Sequence, residues 1–174
     1  RQLHDQYRIT DKYFFFWGSI YSQWFQHPEK DRYLFEDDNN KFWTAEHHMM
    51  FKKAELFGDV QIASEIINGD NSPERVKALG RKIKNFDERL WNRHKLDIVV
   101  EGNVLKFKQN PDLMEVMKNH KDLILVEASP HDRIWGIGKH FADEDVIDEN
   151  SWNGQNLLGI ALMQARDKIL GVEK

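Results

Sequence analysis

Residues 44–59, TAEHHMMFKKAELFGD, decide the fold class of this chain. Thr44 belongs to the residue types that cap helix N-termini, and Gly58 is the type that most often ends a helix. The sequence between them therefore predicts one helix. Asp59 follows at once and is placed to cap a second helix over VQIASEII, whose apolar residues recur at helical spacing.

The same combination of cap and apolar stripe predicts further helices along the rest of the chain. They cover Ser72-Pro73 to Leu79, residues 87–108, Asn110-Pro111 to about His120, and residues 153–170. The segment 87–108 forms one long helix or two, with Gly102 as the point of a break. The last helix is amphipathic.

Strand signals are short and few. They are residues 12–25 with a bend at Gly18-Ser19, a hairpin over 32–44 that turns at 37–40, and LILVEA at 123–128. The expected fold is therefore mainly α, a single domain with helices around a small β element. We expect a flexible N-terminal segment over residues 1–12 and the domain itself over 13–172.

The composition bounds the class of protein. The chain has 174 residues, 40% hydrophobic and 31% charged, which suits one globular domain rather than a disordered chain. No apolar run approaches the ~18 residues of a membrane span, so no membrane association is expected. The absence of cysteine removes disulfide and thiolate chemistry and suits a cytoplasmic location. A net charge of -4 argues against a broad electrostatic grip on nucleic acid but leaves room for a local basic patch.

The first predicted helix carries two candidate catalytic side chains. Glu46 and Lys53 are seven residues apart, which places them on one helix face about 10 Å apart along the axis. Spacing alone favours a solvated face, whereas the aromatic and thioether residues beside them favour a cleft. In a cleft, a lysine next to apolar groups loses proton affinity and can act as a nucleophilic amine.

Neither a metal nor a nucleotide cofactor is expected. His47 and His48 point about 100° apart on a helix and lack a ligand pattern such as HExxH. The glycines of WGIGKH do not form a dinucleotide fingerprint, because Phe141 stands where the third glycine belongs.

The stretch ASPHDRIWGIGKH, residues 128–140, follows the last predicted strand. It places Asp132, Trp135, Gly136 and Gly138 at the end of an apolar run. One interpretation is a ligand-binding turn whose glycines allow close backbone approach. The other is an ordinary strand exit with Asp132 paired to an arginine.

Six ordered blocks of this sequence resemble the NADAR family, also called the YbiA-like family. The blocks are FFFWGSIYSQWF at 14–25, TAEHHMMFKKAELFGD at 44–59, ALGRKIKNFDERLWNRHKLDIV at 78–99, KFKQNPDL at 106–113, LVEASPHDRIWGIG at 125–138 and WNGQNLLGIALMQAR at 152–166. Together they span most of the chain, so the resemblance does not depend on one short pattern.

The resemblance implies a YbiA-like fold and an N-glycosidase. Members of the family are associated with ADP-ribose attached to the exocyclic amine of guanine, and with ribosylaminopyrimidine 5'-phosphate intermediates of riboflavin synthesis. Both substrates are glycosylamines, in which C1' of a ribose is bonded to an amino nitrogen on a planar heterocycle.

The family motifs fall on specific residues of this chain. The expected catalytic residues are Glu46, Lys53 and Asp132. The expected substrate-binding residues are Trp91, Trp135, Gly136, Gly138, Arg81, Asn156, Trp17 and Ser22. The motif has His or Gln after the acidic residue, and this chain has His47 there.

Two chemical routes stay open for such a reaction. Glu46 is the candidate general acid or base, and Asp132 the candidate group to stabilise C1' or orient water. Alternatively, Lys53 captures C1' as a Schiff base that water later hydrolyses. In either route Trp91 and Trp135 would stack on a ring, and Arg81 would bind a phosphate.

Three functions follow as alternatives. The first is removal of ADP-ribose from guanine in nucleic acid or nucleotide, with a toxin-type ADP-ribosyltransferase as the functional counterpart. The second is hydrolysis of ribosylamine phosphates of the riboflavin pathway. The third, of another class, is a non-catalytic module that binds NAD or ADP-ribose.

Overall fold

The computed structural model describes residues 7–171, which fold into a mainly helical architecture with two small sheets. The helices are α1 (Ala45–Leu56), α2 (Val60–Asn68), α3 (Pro73–Gly80), α4 (Glu88–Lys108), α5 (Pro111–Asn119) and α6 (Leu157–Leu170). The strands are β1 (Tyr7–Ile9), β2 (Tyr13–Phe16), β3 (Phe35–Glu36), β4 (Lys41–Phe42) and β5 (Ile124–Glu127). The predicted fold class is confirmed. Within residues 7–171, no helix combines the length and apolar character needed to cross a bilayer.

The chain divides into two compact units. The central unit is Gln23–Asn110, and the terminal unit contains the described residues up to Ser22 and those from Pro111 onward. The central unit holds α1 to α4 and the β3–β4 hairpin, whereas the terminal unit holds β1, β2, β5, α5 and α6.

The predicted caps of α1 and α2 are confirmed. The Thr44 hydroxyl accepts a hydrogen bond from the backbone N–H of His47 at 3.1 Å, and an Asp59 carboxylate oxygen accepts one from Ile62 N–H at 3.1 Å. Gly58 lies between the two helices with a φ of 71°, a conformation that costs glycine little. Because each cap satisfies amide groups that the helix cannot, the two helices begin and end where the sequence indicated.

Helix α4 runs unbroken through Gly102, so the break considered there does not occur. The reason for glycine at this position is packing. A Cβ at residue 102 would lie 2.6 Å from Nδ1 of His48 on α1, so the missing side chain allows α1 and α4 to approach closely. Helix α1 packs against α2, α3 and α4 and forms the centre of its unit.

The predicted hairpin of the central unit is confirmed. Strands β3 and β4 pair antiparallel, with Phe35 opposite Phe42 and Glu36 opposite Lys41. The turn between them is held by Asp37, whose carboxylate accepts from the backbone N–H of Asn39 at 2.9 Å and that of Asn40 at 2.8 Å. Local side-chain hydrogen bonds of this kind are why Asp and Asn dominate such turns.

The terminal unit is built on a three-stranded sheet with the order β1-β2-β5, in which β2 pairs antiparallel with β1 and parallel with β5. Residues 1–6 of the segment expected to be flexible lie outside the described residues. The expectation is wrong for residues 7–9, which form β1 and pair with Phe14–Phe16 of β2. Strand β2 is buried throughout, and β5 packs against α6.

His47 connects the start of α1 to the segment before α3. Its side chain is buried, with Nδ1 2.7 Å from the Thr44 hydroxyl and Nε2 3.1 Å from the backbone oxygen of Asp70. Burial disfavours the charged imidazolium and lowers the pKa of His47 to about 4. The neutral ring is therefore part of the folded state.

The stability of the protein should fall as the pH drops through the range in which His47 titrates. The unfolded chain takes up a proton near pH 6.5 and the folded protein only near pH 4, so stability is full above pH 6.5 and declines as pH falls to 4. We expect a loss on the order of 3 kcal/mol in the free energy of unfolding across this window. Urea unfolding at a series of pH values would measure it. His47→Gln cannot titrate and should lack this decline, and an unchanged pH dependence in that variant would contradict the assignment.

Candidate active site

The acidic residue that the sequence singled out in the first turn of α1 is buried. Glu46 lies in the first helical turn with 8% of its surface exposed, and its backbone N–H donates to the carbonyl of Gln23 at 2.9 Å. A carboxylate in the first turn is favoured by the helix dipole. The solvated-face interpretation of Glu46 is therefore excluded.

Gln23 is a residue that the sequence reasoning did not select. Beyond the backbone bond to Glu46, its side-chain oxygen accepts from the amide of Asn103 on α4 at 2.9 Å, and its amide nitrogen lies 3.9 Å from the sulfur of Met49. Asn103 is fully buried and also donates to the carbonyl of Val99. Gln23 thus holds the start of α1 in a fixed position relative to α4.

Lys53 lies two turns further along the same face of α1 and is half-buried. Its Nζ donates to the backbone oxygen of Gly80 at 3.2 Å and lies 4.8 Å from the ring centre of Phe86 and 5.4 Å from that of Trp91. Both ring distances are within the range of cation–π attraction. The amine is therefore enclosed by one carbonyl and two aromatic rings.

Gly80 has two functions in this enclosure. As the last residue of α3 it offers a carbonyl without a partner in its own helix, which Lys53 uses. A Cβ at this position would overlap the sulfur of Met50, so glycine also lets α1 and α3 pack closely. Neither function is visible in the sequence, since both depend on which helices meet.

The surroundings of Lys53 lower the pKa of its amine. Burial lowers its pKa most strongly, Glu46 acts in the opposite direction and raises it, and the positive charge of Arg81 lowers it. Two of the other expected residues of this unit, Glu46 and Arg81, therefore act on the amine of Lys53. Arg81 itself is exposed at the C-terminal end of α3.

Phe86 is the second residue that the sequence reasoning missed. It lies in the segment between α3 and α4, with its ring 5.3 Å from that of Phe57. The segment is anchored by Asp59, whose second carboxylate oxygen accepts from the backbone N–H of Lys84 at 2.9 Å. The sequence signal for Phe86 was its place in the Phe86-Asp87 pair, which precedes Trp91 in one of the blocks that resemble the family.

In the terminal unit, Asp132 organises its own loop. One carboxylate oxygen accepts from the backbone N–H of Ile134 at 2.9 Å and from that of Trp135 at 2.8 Å. This local turn places the half-buried Trp135. A structural role for Asp132 thus exists beside the predicted catalytic one, and it differs from the arginine pairing considered from sequence.

The glycines of this loop serve backbone packing. A Cβ on Gly136 would lie 2.9 Å from the carbonyl oxygen of Asp132, and Gly138 has a φ of 68°. The N–H of Gly138 donates to that same Asp132 oxygen at 3.1 Å. The amide of Gly138 is thus already used inside the loop, so we do not propose it as a phosphate or ribose ligand.

Asn156 is also used structurally. It is buried, its side-chain oxygen accepts from Glu127 N–H at 2.9 Å, and its amide donates to the carbonyl of Leu125 at 3.0 Å. Its φ of 55° turns the chain into α6. Because both polar ends of the side chain bond to β5, we propose no substrate contact for it.

Two further predicted residues lie in the terminal unit. Trp17 is half-buried, and its ring meets those of His131 and His140 edge-on, at centroid distances of 6.0 and 5.6 Å. Ser22 is half-buried, and its N–H donates to the carbonyl of Ser19 at 2.9 Å.

Among residues 7–171, no group of three or more histidine, aspartate or glutamate side chains is arranged to hold a metal ion.

A solved structure and a family model identify the class of this protein. The structure resembles the solution structure of the Escherichia coli protein YbiA with a TM-score of 0.71 and 22% sequence identity, covering 98% of this chain and 92% of that one. The profile of the NADAR domain matches residues 10–170. The chain belongs to the NADAR family.

Curated relatives agree with this assignment. The chain is 44% identical over 167 residues to N-glycosidase R617 of Acanthamoeba polyphaga mimivirus, covering 91% of this chain and 97% of that protein. It is 33% identical to N-glycosidase Npun_R5314 of Nostoc punctiforme over 74% of this chain and 75% of the relative. It is also 31% identical to the chloroplastic riboflavin biosynthesis protein PYRR of Zea mays, over 78% of this chain but 21% of that protein. The predicted family is confirmed.

The amine of Lys53 should titrate below the usual lysine range, and its neighbours should move it in opposite directions. Removing the negative charge with Glu46→Gln should lower the pKa of Lys53 further, whereas Arg81→Ala should raise it. NMR of ¹³C-methylated lysines over a pH series would measure both, with Lys53→Arg to assign the signal. Shifts of the same sign in the two variants would contradict this electrostatic description.

Proposed function

We propose that this protein is an N-glycosidase that hydrolyses the bond between ribose C1' and an exocyclic amine, and that its substrate is ADP-ribosylated guanine. The observation that supports this most directly is the amine of Lys53, half-buried between two aromatic rings on the helix face that carries the buried Glu46. The relatives named as N-glycosidases support the reaction class.

The proposed reaction begins with opening of the sugar ring. The ring oxygen leaves C1' and takes up a proton, while the exocyclic nitrogen forms a C=N bond to C1'. The neutral amine of Lys53 adds to C1', and the heterocyclic amine leaves with a proton, so that C1' is now double-bonded to Nζ. Water then adds to this Schiff base and releases the sugar and the free amine of Lys53.

Glu46 supplies the proton transfers of this sequence. The leaving amine must gain a proton and the attacking water must lose one, which is the work of one general acid and base. Glu46 suits this role because it is buried and shares a helix face with Lys53. If direct hydrolysis replaces the Schiff base, Glu46 performs the same transfers with water as the nucleophile.

Arg81 is the proposed phosphate ligand. It is exposed at the end of α3, and its charge acts on the amine of Lys53. A guanidinium suits phosphate oxygens because it can donate two parallel hydrogen bonds. Both candidate substrates carry phosphate, so this contact supports the class of substrate rather than one member.

The second candidate substrate is a ribosylaminopyrimidine 5'-phosphate. The name of the maize relative, a riboflavin biosynthesis protein, supports this candidate, although this chain covers only 21% of that protein. The third candidate, a module that only binds NAD or ADP-ribose, gives no reason for a half-buried amine on the helix face that carries a buried carboxylate. We therefore place it last.

Borohydride should trap the Schiff base. When it is added during turnover of a guanine-ADP-ribosylated oligonucleotide, we expect a sugar adduct on Lys53, visible as a mass increase of the intact protein. Lys53→Ala should form no adduct and lose at least a thousandfold in kcat, and Lys53→Arg controls for the positive charge. Full activity of Lys53→Ala would exclude the covalent route. Parallel rates with the pyrimidine riboside phosphate would decide between the two substrates.

Two substitutions separate the structural and chemical roles of Asp132. Asp132→Asn keeps an oxygen that can accept from Ile134 and Trp135, so the loop and the stability should be retained. Asp132→Ala loses both bonds and should cost on the order of 1–3 kcal/mol in the free energy of unfolding. If the carboxylate takes part in the reaction, Asp132→Asn should lower kcat at least tenfold. Full activity of the stable Asp132→Asn variant would leave this residue only its structural role.

A further inference from the structure

Two aromatic rings enclose the amine of Lys53, but they differ in what they leave open to a ligand. Trp91 is 8% exposed, whereas Phe86 is 48% exposed. A heterocycle can stack only on ring surface that solvent can reach. Trp91 has little such surface, so its contribution is to desolvate the amine. Phe86 has nearly half of its surface available beside the same amine.

The position of Phe86 is held from several directions. Ile83 is buried, Lys84 is tied by its N–H to Asp59, and Asn85 adopts the left-handed conformation with a φ of 62°. The ring of Phe86 packs at 5.3 Å and 58° against that of Phe57. An exposed aromatic side chain on an anchored segment is a preorganised surface, since little freedom is lost when a ligand binds to it.

We propose that Phe86 is the stacking surface for the leaving heterocycle and thereby favours two-ring purine amines over single-ring pyrimidines. This inference depends on the proposed function. During attack, C1' must come within bonding distance of Nζ of Lys53, which lies 4.8 Å from the centre of the Phe86 ring. The heterocycle attached to C1' is then within contact of Phe86. A purine offers more ring area for this contact than a pyrimidine.

The kinetic test compares Phe86→Leu and Phe86→Tyr on both substrates. Leucine keeps the packing against Phe57 but has no aromatic face, whereas tyrosine keeps both. For the ADP-ribosylated guanine substrate, Phe86→Leu should raise KM about tenfold, or about 1.4 kcal/mol. Because Phe86 also faces the amine of Lys53, any change in kcat should be the same for both substrates. Phe86→Tyr keeps the aromatic face and should keep the KM for the guanine substrate close to the wild-type value. For the pyrimidine riboside phosphate, Phe86→Leu should raise KM less than threefold.

Trp91→Phe is the matched control for the inner ring. Because Trp91 desolvates the amine, this variant should shift the pH profile of kcat and should not affect the purine substrate selectively. Equal KM changes for both substrates in Phe86→Leu would overturn the inference, as would a selective loss of the purine in Trp91→Phe.

A binding measurement separates the failure of this inference from failure of the proposed function. Guanosine monophosphate titrated into the wild-type protein should shift the aromatic NMR signals of Phe86 and bind at least fivefold more weakly to Phe86→Leu. If neither substrate turns over, the proposed function fails, and this shift alone still supports stacking on Phe86. If substrates turn over but the Phe86 signals do not move, the function stands and the inference is wrong.

Discussion

The arrangement of the central unit depends on one constraint, the placement of a half-buried lysine amine among helices. A desolvated ammonium is costly unless other groups compensate for its lost hydration. Here one carbonyl, that of Gly80, and the faces of Phe86 and Trp91 supply that compensation, while Glu46 supplies the opposite charge. Each of the four groups comes from a different turn or segment, so their joint action on the amine depends on how the helices around α1 pack.

Local rules of chain geometry deliver each of these groups. Gly80 ends α3 and so has a carbonyl with no partner in its own helix. Asp87 caps α4 by accepting from Arg89 and Leu90, which fixes where the first turn with Trp91 begins. Asp59 caps α2 with one oxygen and holds Lys84 with the other, so a single carboxylate couples a helix start to the segment that carries Phe86. Capping therefore does more than end helices here, since it sets the geometry of the enclosure.

The difference between local contacts and contacts that join distant segments explains what could be predicted from the sequence. The caps at Thr44 and Asp59 and the turn after β3 are local, so residue types at fixed spacing identified them. Strand β1 was missed because it is only three residues long and gains its structure by pairing with β2. Gly80 and Phe86 were missed because their contacts with Lys53 join segments 27 or more positions apart. The residues of a site can be recognised by type, but its walls are properties of the packed structure.

A family motif mixes residues that perform chemistry with residues that hold them, and hydrogen-bond satisfaction helps to separate the two. Both polar atoms of Asn156 bond to the backbone of β5, which is sufficient reason for an asparagine there. Lys53 makes one such bond, to the carbonyl of Gly80, while burial partly desolvates its charge. An apolar side chain of similar size would fill its place without the cost of desolvating a charge, so packing alone favours a residue other than lysine. A group whose presence works against stability calls for a functional explanation, and the proposed role of Lys53 as a nucleophilic amine would supply one.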